Sequence, residues 1–208
     1  MSVDDEALCC LRPAPPALEV TAAITRVVIV DVDGVVSAVH PQPGALTWGD
    51  EHVVGNVFGP VLTSPTLRER LDSLNELPNV SCWWLTSWST EMRASMNDFP
   101  GAAWPVIAEP DLGSGVDRRA GWWKLSAVET WLEQHPEVRE IAWCDDHLRG
   151  GRPAAVRRRF EARGLNPPLL LAPATDVGLA PADLDRLEMW AGHACAGADA
   201  HGPRYGCS

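Results

Sequence analysis

Lysine is nearly missing from this chain: sixteen of its seventeen basic residues are arginine, and the only lysine is Lys124. In a sequence biased towards Arg, Ala, Gly and Pro, one retained ammonium asks for a reason of its own. Long apolar runs are missing too, since none reaches the ~18–20 residues a membrane span needs. Met1 to Glu6 is acidic where a secretory leader is basic, and no apolar segment follows it. These absences predict a soluble, cytoplasmic protein. Cys9, Cys10, Cys82, Cys144, Cys195 and Cys207 form no CxxC pair and no framework spacing, which excludes a disulfide scaffold. His193, Cys195, His201 and Cys207 sit in a Gly/Ala-rich tail with no ligand spacing of a defined metal site. Positive charge is scarce: 17 basic against 28 acidic residues leave a net charge of −11. The molecule as a whole repels nucleic acid and acidic membrane surfaces, so a phosphate-bearing ligand must be held by a local site.

What is present fits one good-sized domain. The 208 residues are 46% apolar and 22% charged, a globular composition. Residues 1–23 carry Pro13, Pro15 and Pro16 and no periodicity, and read as a flexible arm. Residues 24–191 read as the folded domain, and 192–208 as a flexible tail. Five strands are predicted: Thr25–Val30, Val80–Leu85, Ala103–Ala108, Glu140–Cys144 and Pro168–Ala172. Helices are predicted over Pro65–Leu77, from Ser87 or Ser89 to about Asp98, and over Trp122–Gln134, Pro153–Arg163 and Pro181–Ala191. Residues 37–63, rich in Gly and Pro, are too long for an ordinary connection and read as a flap or lid centred on 40–60. Alternating strands and helices imply a five-stranded parallel sheet with right-handed crossovers, in a three-layer Rossmann-like α/β fold. Ligands bind such sheets beyond the carboxyl ends of the strands. Four of the five predicted strands end in side chains able to attack, bind metal or hold an anion: Asp31 and Asp33, Thr86 and Ser87, Glu109, and Asp145 and Asp146.

Asp31-Val32-Asp33-Gly34 places two carboxylates at a strand end, with a glycine that lets the backbone turn away. Like charges that close repel unless a cation sits between them. A hard ion such as Mg²⁺ suits, because it is bound by one or two carboxylates plus phosphate oxygens and water. A turn pair of solvated acids is the plain alternative. Thr86 and Ser87 offer hydroxyls beside the start of a helix, where backbone N–H groups also face an anion; simple N-capping explains them equally. Lys124 falls in the first turn of a helix, the wrong end of the macrodipole for a cation. That placement favours a ligand role, and an ammonium is a compact point charge suited to phosphate. Asp145-Asp146 follows an apolar strand, where adjacent acids are costly unless exposed or metal-linked.

Taken in order, DxDG, strand-Thr, Lys opening a helix and strand-DD resemble the motif series of the haloacid dehalogenase (HAD) superfamily across about residues 25–190. Val28–Val36, Trp84-Leu85-Thr86-Ser87-Trp88, Trp123-Lys124-Leu125 and Ala142–Asp146 look like the HAD domain of the Swiss Army Knife RNA repair group, and Val177-Gly178-Leu179 fits that group too. The resemblance implies a Mg²⁺-dependent phosphatase. In it Asp31 attacks phosphorus and forms an aspartyl-phosphate, and Asp33 protonates the leaving oxygen. It further implies Mg²⁺ held by Asp31, the backbone carbonyl of Asp33 and Asp146, with Asp145 orienting from behind. Thr86, Ser87 and Lys124 would grip the phosphoryl oxygens. About fifty residues separate the first two motifs, which leaves no room for a large cap domain, only the small flap.

An open site admits a small phosphorylated molecule or a nucleic acid end. Trp48 or Trp88, if exposed, would stack on a base, although core packing is the ordinary fate of tryptophan. Arg149, Arg152, Arg157, Arg158, Arg159 and Arg163 form a local basic patch that suits nucleic acid phosphates or a solvated helix face. Two other readings are a non-catalytic HAD-like binding module and a metal-independent haloacid dehalogenase. The intact DxDG and Asp146 argue against the dehalogenase.

Overall fold

The structure, a computed structural model, describes residues 25–56, 59–94, 103–109 and 122–192. The expected arm, most of the tail with its Cys/His group, and the part of the expected helix beyond α2 (Thr90–Ala94) lie outside the described residues. A parallel sheet forms the middle layer, from β1 (Arg26–Val30), β4 (Val80–Trp84), β5 (Glu140–Cys144) and β6 (Leu169–Leu171), in the order β4-β1-β5-β6. β1 is central, and its RVVIV run is buried along its whole length, as a strand covered on both faces must be. The chain steps from β1 to one side for β4 and to the other for β5, so β1 lies at the switch point of the sheet.

The period of two along β1 sorts the core into halves. Val28 and Val30 face a cluster built with α1 (Pro65–Asn75) and α5 (Pro181–Gly192), through Leu67, Leu71, Leu74, Leu184 and Leu187. Val27 and Ile29 face the other cluster, built with α3 (Trp123–Gln134) and α4 (Arg152–Ala162), through Val128, Leu132, Val156 and Phe160. Helix α1 starts as its sequence asks: Ser64 Oγ accepts from Leu67 N at 3.1 Å, with Pro65 behind it in the first turn.

Among the described residues the sheet has four strands where five were expected. Ala103–Ala108 makes a single parallel bridge, Trp84 to Val106, beside β4. Pro105 explains the shortfall. It accepts from Trp84 N at 2.9 Å but has no N–H to give, so the ladder stops at this bridge and at the Ile107 N to Trp84 O bond of 2.9 Å.

The expected flap takes a definite form. β2 (His52–Asn56) and β3 (Gly59–Thr63) pair antiparallel, with His52 opposite Thr63 and Asn56 opposite Gly59. Asp50 ties its base to α1 by accepting from Ser64 Oγ, Thr66 N and Thr66 Oγ1. No helix among the described residues is long and apolar enough to cross a membrane.

Candidate active site

Register brings the strand ends together. Val30 pairs with Trp84 on one side and with Cys144 on the other, so Leu85-Thr86, Asp31 and Asp145-Asp146 stand side by side at one edge of the sheet. The ladder runs on past the strands through Leu85 N to Val30 O, Asp31 N to Cys144 O and Asp145 N to Leu171 O, at 3.0, 3.1 and 3.0 Å. Asp31 is therefore held rigidly and is only 4% exposed.

Lys124 reaches this point from the first turn of α3. Trp122, just before the helix, stacks on Trp143 of β5 with ring centroids 4.8 Å apart and planes at 10°. That stack docks the uncapped helix start against the strand carrying Asp145. Lys124 is 5% exposed, and its ammonium bridges two carboxylates: it donates to Asp31 Oδ2 and, at 2.7 Å, to Asp145 Oδ2. Burial pulls the Lys124 pKa down, but Asp31 and Asp145 outweigh it and hold it above the usual lysine value. Burial pushes the Asp31 carboxyl up to about 6; Lys124 opposes that shift and the neighbouring Asp145 adds to it.

The two acids of the fourth motif differ in what is left free. Asp145 has both oxygens occupied, Oδ2 by Lys124 and Oδ1 by His147 N at 2.8 Å. Asp146 accepts from Thr175 Oγ1 at 2.6 Å through Oδ2, whereas its buried Oδ1 receives no directed hydrogen bond. His147 Nδ1 lies 2.6 Å from that Oδ1, and the imidazole is largely exposed. Asp31, Asp145, Asp146 and His147 each bring a ligand atom into a group spanning at most 4.8 Å. Gly34 makes room for it: its φ is +69°, and a Cβ there would sit 2.6 Å from Asp146 Oδ2. A buried carboxylate oxygen whose neighbour is the exposed His147 ring nitrogen, gathered with two further carboxylates, fits a divalent cation.

The remaining expected residues are placed as follows. Thr86 is buried beside Asp31, and its Oγ1 accepts from Trp88 N at 3.3 Å; Ser87 is exposed. The Asp33 side chain stands apart from the acidic group and accepts from Trp88 Nε1 at 2.9 Å. Trp88 is thus a buried partner of Asp33 rather than an exposed stacking platform. Trp48 is likewise engaged, donating Nε1 to Leu179 O at 2.7 Å beneath the Arg70 guanidinium. The arginine patch is partly committed as well: Arg149 donates to Pro173 O, Arg152 donates to His147 O and covers the Trp122 ring, and Arg163 pairs with Glu133. Arg157 and Arg158 remain exposed on α4.

His147 and Thr175 were not anticipated. His147 directly follows the acidic pair, and Thr175 lies beyond β6, the one strand end left without a chemical side chain in the sequence reading. The turn bearing Thr175 clasps the DxDG turn through Val39 N to Thr175 O and Leu179 N to Val35 O, both 2.8 Å.

The order of these strand ends matches a known pattern. The family described as the HAD domain in Swiss Army Knife RNA repair proteins matches residues 27–170, more than half of the chain. The chain belongs to that family. No curated protein and no solved structure matches it significantly. HAD domains are generally hydrolases of phosphate compounds and typically depend on a metal ion. The acidic group of this HAD domain is compatible with such an ion.

Proposed function

We propose that this HAD domain is a Mg²⁺-dependent phosphohydrolase working through an aspartyl-phosphate on Asp31, in the cytoplasm, on phosphorylated small molecules or the phosphate ends of nucleotides and nucleic acids. One observation carries the reading. Among the described residues, three buried carboxylates, Asp31, Asp145 and Asp146, gather around one buried ammonium, Lys124, with the exposed His147 at their edge, a surplus of carboxylate that a divalent cation suits. A phosphate dianion could not approach that excess unaided.

Asp31, the backbone carbonyl of Asp33, and Asp146 would hold the ion, with His147 Nδ1 beside them and Asp145 anchored behind. The ion supplies charge neutralisation and alignment of the phosphoryl oxygens. The residues do the rest. Asp31 Oδ attacks phosphorus as the bond from phosphorus to the leaving oxygen breaks, and Asp33 gives that oxygen its proton. Asp33 then takes a proton from the water that attacks the phosphorus of the aspartyl-phosphate. The bond from phosphorus to Asp31 breaks, and phosphate and free carboxylate are restored. Thr86, Ser87 and Lys124 bind the transferring oxygens and stabilise their charge.

The test is turnover of a panel of phosphomonoesters by the wild-type protein and by Asp31→Asn, with Mg²⁺ and with EDTA. The Asn variant is expected to lose at least ~10³-fold, on the order of 4 kcal/mol of barrier. Activity that survives EDTA, or that survives the substitution, would overturn the proposal.

A further inference from the structure

The Asp33 carboxylate opens on one side into a hollow that none of the steps above uses. Its volume is about 380 Å³, and its walls come from the loop after the DxDG turn, the β2–β3 hairpin and the segment following β4. Val53, Val61, Trp88 and Met92 supply most of its character; among the described residues, Asp33 and His40 are the ionisable ones that line it. Neither arginine nor lysine lines it among the described residues. The arginine-rich α4 packs on the other face of the sheet, whereas the hairpin packs on the α1–α5 side. Val53 is 65% exposed on the hairpin, an apolar wall with little packed on it. The size lies within the ~300–1,000 Å³ range of small-molecule sites.

Building on the phosphohydrolase reading, we infer that the leaving group is an uncharged alcohol with an aromatic face, of aryl or nucleoside size, seated in this hollow against the β2–β3 hairpin. The position follows from the chemistry. Asp33 protonates the leaving oxygen, so the carrier of that oxygen must occupy the space Asp33 borders. The class follows from the walls. A second phosphate in the hollow meets a carboxylate and, among the described residues, no Arg or Lys to pair with, and a bare sugar leaves the valine, proline and methionine walls uncovered. A flat apolar face meets surface that gains by being covered.

The experiment compares kcat/KM for acetyl phosphate, whose leaving group is too small to fill the hollow, with 1-naphthyl phosphate, uridine 5′-monophosphate, glucose 6-phosphate and pyrophosphate. Both aromatic carriers are expected to exceed the sugar and the pyrophosphate by roughly tenfold or more, the scale of pocket discrimination. The faster of the two then tells a nucleoside carrier from a plain aryl one. Val53→Asp puts a charge on the exposed wall and is expected to lower the ratio of 1-naphthyl phosphate to acetyl phosphate turnover by about tenfold. Met189→Asp, the same change at an exposed position of α5, serves as the control and leaves the ratio alone. Turnover of acetyl phosphate with no preference among the larger carriers, or a Val53→Asp ratio equal to wild type, overturns the inference while leaving the phosphohydrolase reading standing. Absence of Mg²⁺-dependent turnover on all five compounds overturns both.

Discussion

Removing the ammonium from Lys124 tests how the acidic group is held. Lys124→Met keeps most of the side-chain length and deletes the charge. Lys124 is 5% exposed and hydrogen-bonds Asp31 and Asp145, both buried, so methionine strands two carboxylates away from water. The relevant magnitude is the penalty of leaving a buried charge unpaired, about 3–5 kcal/mol. In a protein of this size that penalty lowers Tm by about 6–20 °C, taking ~2–4 °C per kcal/mol. Thermal and urea unfolding in EDTA, where no cation can take the ammonium's place, read the loss directly. Adding Asp145→Asn to Lys124→Met removes one stranded charge, and the double variant is expected to recover at least ~1 kcal/mol, a coupling typical of contacting residues. Lys124→Arg keeps the charge but must fit a planar fork where an ammonium sat, and is expected to melt below wild type too. A Lys124→Met protein within ~1 kcal/mol of wild type, the range of a solvated ion pair, would refute the buried clasp. A double variant less stable than the single would refute it as well.

Three other outcomes are expected. Mg²⁺ at a hundred times its Kd stabilises the wild-type protein by ~2.7 kcal/mol; melting curves should show that gain lost in Asp146→Asn and partly kept in Asp145→Asn, and equal losses would remove Asp146 from the ion's ligands. Gly34→Ala forces a side chain into φ +69° and against Asp146 Oδ2, so it should cost more than ~1 kcal/mol and weaken Mg²⁺ binding in a titration. An unchanged titration would mean that the turn yields without disturbing Asp146. Trp88→Phe removes the indole donor to Asp33, and kcat should fall about tenfold, the worth of one hydrogen bond to a charged group; an unchanged kcat would show that Asp33 needs no such orientation.

The parts of this architecture written in local pattern were legible. The β-branched run of β1 specified a doubly covered strand, and Ser64-Pro65 specified a helix start, because both depend on neighbours in sequence. The strand ends carrying Asp31, Thr86 and Asp145-Asp146 followed from the same pattern, and parallel register then set them side by side. The apolar residues of Ala103–Ala108 have strand character, but Pro105 limits the ladder to one bridge. The hairpin inside the expected flap escaped notice because its strands are short and hold Gly55, Gly59 and Pro60, which weaken the alternation. Partners set by long-range packing were invisible for a different reason. Nothing local to Trp88 tells that its indole meets Asp33, fifty-five positions away, or that Thr175 reaches back to Asp146.

The clasp between the DxDG turn and the turn after β6 bears on the order in which the protein is made. Asp31 emerges from the ribosome more than a hundred residues ahead of its hydrogen-bonding neighbour Cys144, and Thr175, which steadies Asp146, follows later still. At ~5–20 residues per second, the nascent chain spends several seconds with β1 synthesised and β5 absent. Through that interval the apolar β1 has only β4 to pair with on its described flanks, and its other edge stays open. The acidic group cannot gather its charges until that edge is filled, so the electrostatic cost of crowding the carboxylates falls only after β5 has been made, when β1 and β4 are already there to support them.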